Sequence, residues 1–280
     1  MTDDLAALRA ACEAGTGLCT IVGIEGSFSR RLGAQLAVSA EGQVTGSLAD
    51  GCLENQLARE VREGDRRVMR FGAGSALIDF RLPCGSGLDI LVDPAPDHAA
   101  IRAAIARLDE RAEASLDLPV GPADLLKTRR YMPPLRLILF GEGPELEVLA
   151  TLSSSLGLDV QTHDRNGRAM ALGRAPMLPS PDRWTAVILL FHDHEWEQAI
   201  LEWALGSPAF FIGAQGGRAA REERVQRLQA AGIDTDTIAR ITSPIGVTGH
   251  SREPAPLAVS TLAQVMGQYE AIHPHNHAYG

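Results

Sequence analysis

Three short stretches of this sequence combine residue types that can do chemistry. Gly46-Ser47-Leu48-Ala49-Asp50-Gly51-Cys52-Leu53-Glu54 puts a thiol at the first turn of a predicted helix. Unpaired N–H groups and the helix dipole favour a thiolate there, and Gly51 lets the backbone approach a ligand closely. Leu82-Pro83-Cys84-Gly85-Ser86-Gly87 sets a second thiol in a glycine-rich turn, whose successive N–H groups can form an anion nest. Gly26-Ser27-Phe28-Ser29-Arg30-Arg31 carries two hydroxyls and two guanidiniums, a set suited to phosphate through bidentate hydrogen bonds. Each motif also admits a plainer reading. Cys52 could fill a helix–strand gap as a small buried thiol, Gly85 and Gly87 could serve a tight turn, and Arg30 and Arg31 could simply be solvated.

A second group of candidates lies further along the chain. Gly141-Glu142-Gly143 follows a predicted strand and opens a helix, the context of a dinucleotide fingerprint, and Asp164 stands about 20 residues on, as that fingerprint requires. Leu146 occupies the third glycine position, however, and Glu142, Glu145 and Glu147 place negative charge where a pyrophosphate would sit. His192-Asp193-His194-Glu195 falls at the carboxyl end of a strand, where α/β proteins hold ligands; its imidazoles suit a metal, a cap or a structural role. Gly213 to Gly217, followed by Arg218, is a further anion-site candidate. His273-Pro274-His275-Asn276-His277 is a weak metal tract that we read as a tail.

These residues need elements to position them. Leu5, Leu8 and Cys12 predict a short amphipathic helix, Leu18 to Ile24 a strand, and Gln35–Ser39 with Gln43–Ser47 a hairpin. Asp50-Gly51 opens a helix through Leu53, Leu57 and Val61, followed by strands at Ala76–Leu82 and Leu88–Val92. Asp97 caps a helix whose stripe is Ile101, Ile105, Leu108 and Ala112. The proline-rich stretch Leu118–Pro134 reads as a linker. From Leu135 the pattern alternates: strands at Leu135–Phe140, Leu158–His163, Thr185–Phe191 and Ala209–Ile212, with helices after Gly143, from about Glu195 to Leu205 and from Ala219 to Ala231. Continuous apolar strands separated by helices imply a parallel sheet covered on both faces. The predicted fold class is therefore α/β: an N-terminal α+β domain of mixed strands and helices over 1–96, a helix and linker over 97–134, a Rossmann-like parallel-sheet domain over 135–270, and a tail over 271–280.

Composition narrows the function classes. Among 280 residues, 26 are Lys or Arg and 35 Asp or Glu, for a net charge of −9, which argues against nucleic acid as a partner. The 45% of hydrophobic residues suffices for a sizeable core. The longest apolar run, Trp184 to Phe191, is far short of the roughly 20 residues of a membrane span, and the acidic start Met1-Thr2-Asp3-Asp4 is unlike a signal peptide. We expect a soluble, cytoplasmic protein with free thiols. Lys127 is the only lysine and follows Leu126, which excludes a Walker P-loop. The 4 cysteines include no C-x-x-C pair, and there is no Gly-x-Ser-x-Gly elbow and no His-Glu-x-x-His.

The order of the motifs resembles one family. Glu25-Gly26-Ser27 to Arg31 with Gly33-Ala34, then Gly46-Ser47, Gly51-Cys52-Leu53-Glu54 and Leu82-Pro83-Cys84-Gly85, are similar to blocks of the XdhC/CoxI family, accessory factors of xanthine and carbon monoxide dehydrogenases. Phe191-His192-Asp193, Ser207 to Ala214 and Pro244-Ile245-Gly246 continue the resemblance, which covers roughly residues 5–265. It implies a chaperone that binds molybdenum cofactor, protects it during sulfuration and helps insert it into a molybdenum hydroxylase of the xanthine or carbon monoxide dehydrogenase type. A cysteine desulfurase is a further implied partner, and a homodimer is the default assembly. By this resemblance Cys52 is the metal-binding thiol, with Gly51 and Glu54 beside it and Cys84 and Gly85 as the second turn. Arg30 and Arg31 suit the anionic tail of the cofactor, and Gly141, Gly143, His192 and Gly213 are further cofactor contacts. Two other readings stay open: an NAD(P)-dependent oxidoreductase using the Rossmann-like domain, and an adaptor that binds no small molecule.

Overall fold

A computed structural model describes residues 3–49, 51–75, 85–191, 194–248, 251 and 253–273. The chain divides into two compact units, residues 2–133 and 134–273, each with its own core. Among the described residues no helix is long and apolar enough to cross a membrane.

The first unit opens with helix α1 (Asp3–Ala10) and strands β1 (Gly17–Glu25), β2 (Gln35–Val38) and β3 (Val44–Gly46). Helix α2 (Cys52–Glu63), strands β4 (Arg67–Gly72) and β5 (Gly87–Asp93), helix α3 (His98–Asp109) and strands β6 (Ala114–Asp117) and β7 (Thr128–Tyr131) complete it. Its sheet runs β3-β2-β1-β5-β4, antiparallel throughout. Alternation along the strands sorts two cores, because successive side chains point to opposite faces. Cys19, Ile21, Leu36, Val38, Leu88 and Ile90 face Leu53, Leu57 and Val61 of α2. Leu18 and Ala37 face Leu5 and Leu8 of α1 and Ile101, Ala104 and Leu108 of α3. Asp97 caps α3 as expected, its carboxylate accepting from the N–H groups of Ala99 and Ala100.

Two elements of this unit differ from expectation. β4 was not anticipated because it is a half-exposed edge strand carrying Arg67 and Arg70, with no continuous apolar run. The strand expected over 76–82 lies outside the described residues. Within the stretch read as a linker, β7 pairs with β6, and Tyr131 joins the α1–α3 core. Arg129 of β7 is 2% exposed and donates to the carbonyl of Gly33 at 2.6 Å, pinning the loop that carries Arg30 and Arg31.

The second unit holds β8 (Arg136–Gly141), α4 (Gly143–Ser155), β9 (Asp159–His163), β10 (Thr185–Leu190), α5 (His194–Leu205), β11 (Phe211–Ala214), α6 (Arg218–Ala230), α7 (Thr235–Ile238), β12 (Ile241–Thr242) and α8 (Pro254–Ala271). Its sheet order is β12-β11-β10-β8-β9, all parallel. Leu137, Leu139, Ala186 and Ile188 face α4 and α8, while Ile138, Phe140, Val187 and Leu189 face α5 and α6. Both faces are covered, which is why the central strands read as apolar runs over Leu137–Phe140 and Ala186–Leu190. This is the Rossmann-like arrangement predicted. α8 was not anticipated: Pro254 and Pro256 look like helix breakers, but Pro254 occupies the first turn, where its missing N–H costs nothing.

Candidate functional site

Short β-strands that end together bring the first unit's loops to one place. Glu25 at the end of β1 is registered with Gly87 at the start of β5, so the 26–31 loop meets the 85–87 turn. Ser86 Oγ donates to the carbonyl of Ser27, and a Cβ on Gly26 (φ +82°) would touch Ser86 Oγ at 3.4 Å. On the other side, β3 ends at Gly46, and Arg30 docks on the residue after it. Its Nε donates to the Ser47 carbonyl at 3.1 Å and a terminal nitrogen to Ser47 Oγ at 3.2 Å. The 26–31 loop thus touches both Ser47, through Arg30, and the turn that holds Gly85 and Ser86, through Ser27. Arg31 lies in the same loop, half-buried. Cys84 and Asp50 lie outside the described residues.

Glu54 organises the turn. One oxygen of its carboxylate accepts from the N–H groups of Leu48 at 2.9 Å and Ala49 at 2.7 Å, and the other from Gly51 N–H at 2.7 Å. Burial raises the pKa of this carboxyl, but the backbone N–H groups of Ala49, Glu54 itself, Gly51 and Leu48 outweigh it and hold the group below the ordinary glutamate range. Glu54 stands beside the thiol as expected, and its carboxylate shapes the backbone that leads to Cys52 by engaging three N–H groups.

Cys52 is the first residue of α2 and is exposed. Gly51 precedes it at φ +94°, and a Cβ there would meet no atom within 4 Å, as also at Gly85 (φ +71°). The thiol therefore faces open space, and the buried-cysteine reading fails at this position. That reading describes Cys19 instead: it is 0% exposed, and burial pushes its thiol far above the normal range, so it stays protonated and inert. Among the described residues no group of three or more His, Cys, Asp or Glu side chains could hold a metal ion.

Two candidates of the second unit, Gly141 and Gly143, lie at the carboxyl end of β8. Gly141 ends β8 opposite Leu190, and a Cβ there would strike Leu190 Cβ at 2.8 Å, so glycine is required by close approach. Gly143 opens α4 at φ +76°. His192 lies outside the described residues, just beyond Phe191. Gly213 is not in a loop but inside β11, where a Cβ would meet the Phe211 ring at 2.5 Å and Ile245 at 2.7 Å; its glycine serves packing. Sequence reasoning missed Arg165, which follows β9 and pairs with Glu142 at 2.9 Å.

The fold and the loop cluster define a class: a two-unit protein with a thiol-bearing glycine turn on a mixed domain and a separate Rossmann unit. Residues 11–72 match the family model for the XdhC and CoxI family, and residues 137–265 match that for the XdhC Rossmann domain. The chain is 31% identical over 289 aligned residues to the molybdenum cofactor insertion chaperone PaoD of Escherichia coli, covering 95% of this chain and 89% of that one. This chain belongs to the XdhC/CoxI family. It also shares its fold with a solved structure described as a xanthine dehydrogenase from Bacillus halodurans, at TM-score 0.72 and 18% identity, covering 98% and 97% of the two chains.

Proposed function

We propose that this protein binds molybdenum cofactor and delivers it to a molybdenum enzyme. The carrying observation is its 31% identity, over 95% of its length, to a chaperone described by that role. In the finer reading, the recipient is a molybdenum hydroxylase such as xanthine dehydrogenase. The protein shields the cofactor while its sulfido ligand is installed with help from a cysteine desulfurase, and it acts as a homodimer in the cytoplasm.

The residues present fit such a group. Molybdenum held by dithiolene and sulfide is a soft centre and would accept a soft ligand; the exposed Cys52 thiol, with open space at the preceding Gly51, is such a donor. Arg30 uses two of its five N–H donors on Ser47, which aims the guanidinium and leaves others for an anionic tail, with Arg31 next to it. Glu54 holds the 48–51 backbone in the shape that presents the thiol. Gly141, Gly143, His192 and Gly213 belong to the other unit and are second-rank contacts in this reading, Gly213 least, since it is packed within a strand. The chain's contribution is to bind, orient and then release the group. No acid–base pair is needed.

The test is purification from a host that makes molybdenum cofactor. Molybdenum by elemental analysis and oxidised pterin by fluorescence should both approach one per chain, and both should be lost in a folded Cys52→Ala variant. Undiminished retention in that variant would remove Cys52 from the site. Absence of both signals after incubation with excess cofactor would overturn the function.

A further inference from the structure

The crevice of the second unit lies where a doubly wound sheet takes its ligands. The first strand, β8, is flanked by β9 on one side and β10 on the other, so the chain reverses its winding at the carboxyl ends of these three strands. Here that position is covered by the protein itself. Arg165 leaves the end of β9 and passes over the end of β8. Its guanidinium carbon lies 6.0 Å from the ring centre of Phe191, just past β10, and 5.9 Å from that of Trp196 in the first turns of α5. The two rings are stacked at 6.3 Å. Glu142 stands immediately before α4 but does not use its side chain as a cap. Its carboxylate pairs instead with Arg165 Nε at 2.9 Å. Arg165 thereby links the ends of all three strands, and Glu142 neutralises it where a phosphate would otherwise sit.

We propose that Glu142 and Arg165 form a latch over this crevice, opened by a phosphate-bearing ligand that takes the place of the Glu142 carboxylate on the guanidinium. The side chains of Arg165 and Glu142 are 33% and 40% exposed, and the 2.9 Å approach at Nε is an ion contact without hydrogen-bond geometry, so the pair is weak and exchangeable. A phosphate offers more charge and a geometry matched to the guanidinium fork, so it competes with the Glu142 carboxylate. The aromatic pair keeps Arg165 in place while its partner changes. The latch explains why a Rossmann unit with a glycine turn at the end of its first strand carries a glutamate inside that turn. It stands independently of cofactor binding by the first unit.

The experiment titrates the full chain with inorganic pyrophosphate and with ADP at constant ionic strength, following melting temperature and binding heat. Three variants are compared with the wild type: Glu142→Gln, Arg165→Gln and the double variant. Glu142→Gln should bind at least one of the two probes about tenfold more tightly than wild type, the effect of removing one competing charge. Arg165→Gln should abolish the response in either background. Glu142→Ser serves in place of Glu142→Gln if the latter does not fold. Equal affinity of wild type and the Glu142 variant, no binding by either, or binding that survives loss of Arg165 would each overturn the latch. None of these outcomes bears on Cys52.

Discussion

Replacing Glu54 with alanine tests whether one carboxylate holds the thiol-bearing turn. Glu54 is 7% exposed and accepts three backbone N–H groups. A hydrogen bond to a charged group contributes about 1.5–3 kcal/mol. The three do not simply add, because the half-exposed Ala49 and the exposed Gly51 regain water when the carboxylate is removed, whereas the amide of fully buried Leu48 is left without a partner. The expected net loss is about 2–4 kcal/mol, measured as a lower urea midpoint by circular dichroism. Amide exchange gives the local readout. Leu48, Ala49 and Gly51 should exchange at least about 30-fold faster, the factor equivalent to the lower bound of that loss. The pH dependence has a definite sign. The folded pKa is depressed, so this stabilisation is complete above the unfolded value of about 4.3 and disappears as pH falls through the lower folded value. Glu54→Gln should lack that acid-side loss. An unchanged urea midpoint together with exchange rates within twofold of wild type would refute the assignment.

Three further outcomes follow from the same geometry. Under native conditions iodoacetamide should modify exposed Cys52 and leave buried Cys19 untouched, as read by peptide mass spectrometry; modification of Cys19 at a comparable rate would contradict its burial. Arg224, 4% exposed, donates to Glu197 at 3.0 and 3.1 Å, to Ser243 Oγ and to the Gln215 carbonyl. Arg224→Ala should therefore cost about 3–5 kcal/mol in denaturation, and Arg224→Met with Glu197→Leu should recover most of it. Gly213→Ala should destabilise by about 1–3 kcal/mol through collision with Phe211 and Ile245, an effect absent if Gly213 were a loop glycine awaiting a ligand.

Much of the architecture was legible in the sequence because it rests on local patterns. Leu137–Phe140 and Ala186–Phe191 are unbroken apolar runs, as strands covered on both faces require. Leu53, Leu57 and Val61 recur at the helical period, and Asp97 precedes α3 as a cap should. The motif series from Glu25–Arg31 through Gly46-Ser47, Gly51–Glu54 and Leu82–Gly85, with the blocks of the second unit, likewise pointed to the family. Edge strand β4 and the β6–β7 pair were not legible, because half-exposed strands with arginines take their stability from a distant partner rather than from their own pattern.

What tertiary structure alone decided is which of several equivalent residue types meets solvent and which meets protein. By sequence, Cys19 and Cys52 are two thiols near glycines. Only the stacking of α2 on the sheet buries the first at 0% exposure and leaves the second open at a helix start. Glu54 reads as a neighbour of the thiol until the chain curls its own backbone N–H groups onto it. Arg165 carries no motif at all, and its place over Glu142, Phe191 and Trp196 exists because three strands end side by side. Local spacing therefore determined the elements and the family. Long-range packing determined the roles of individual side chains, because burial and partner choice depend on residues far away in the chain.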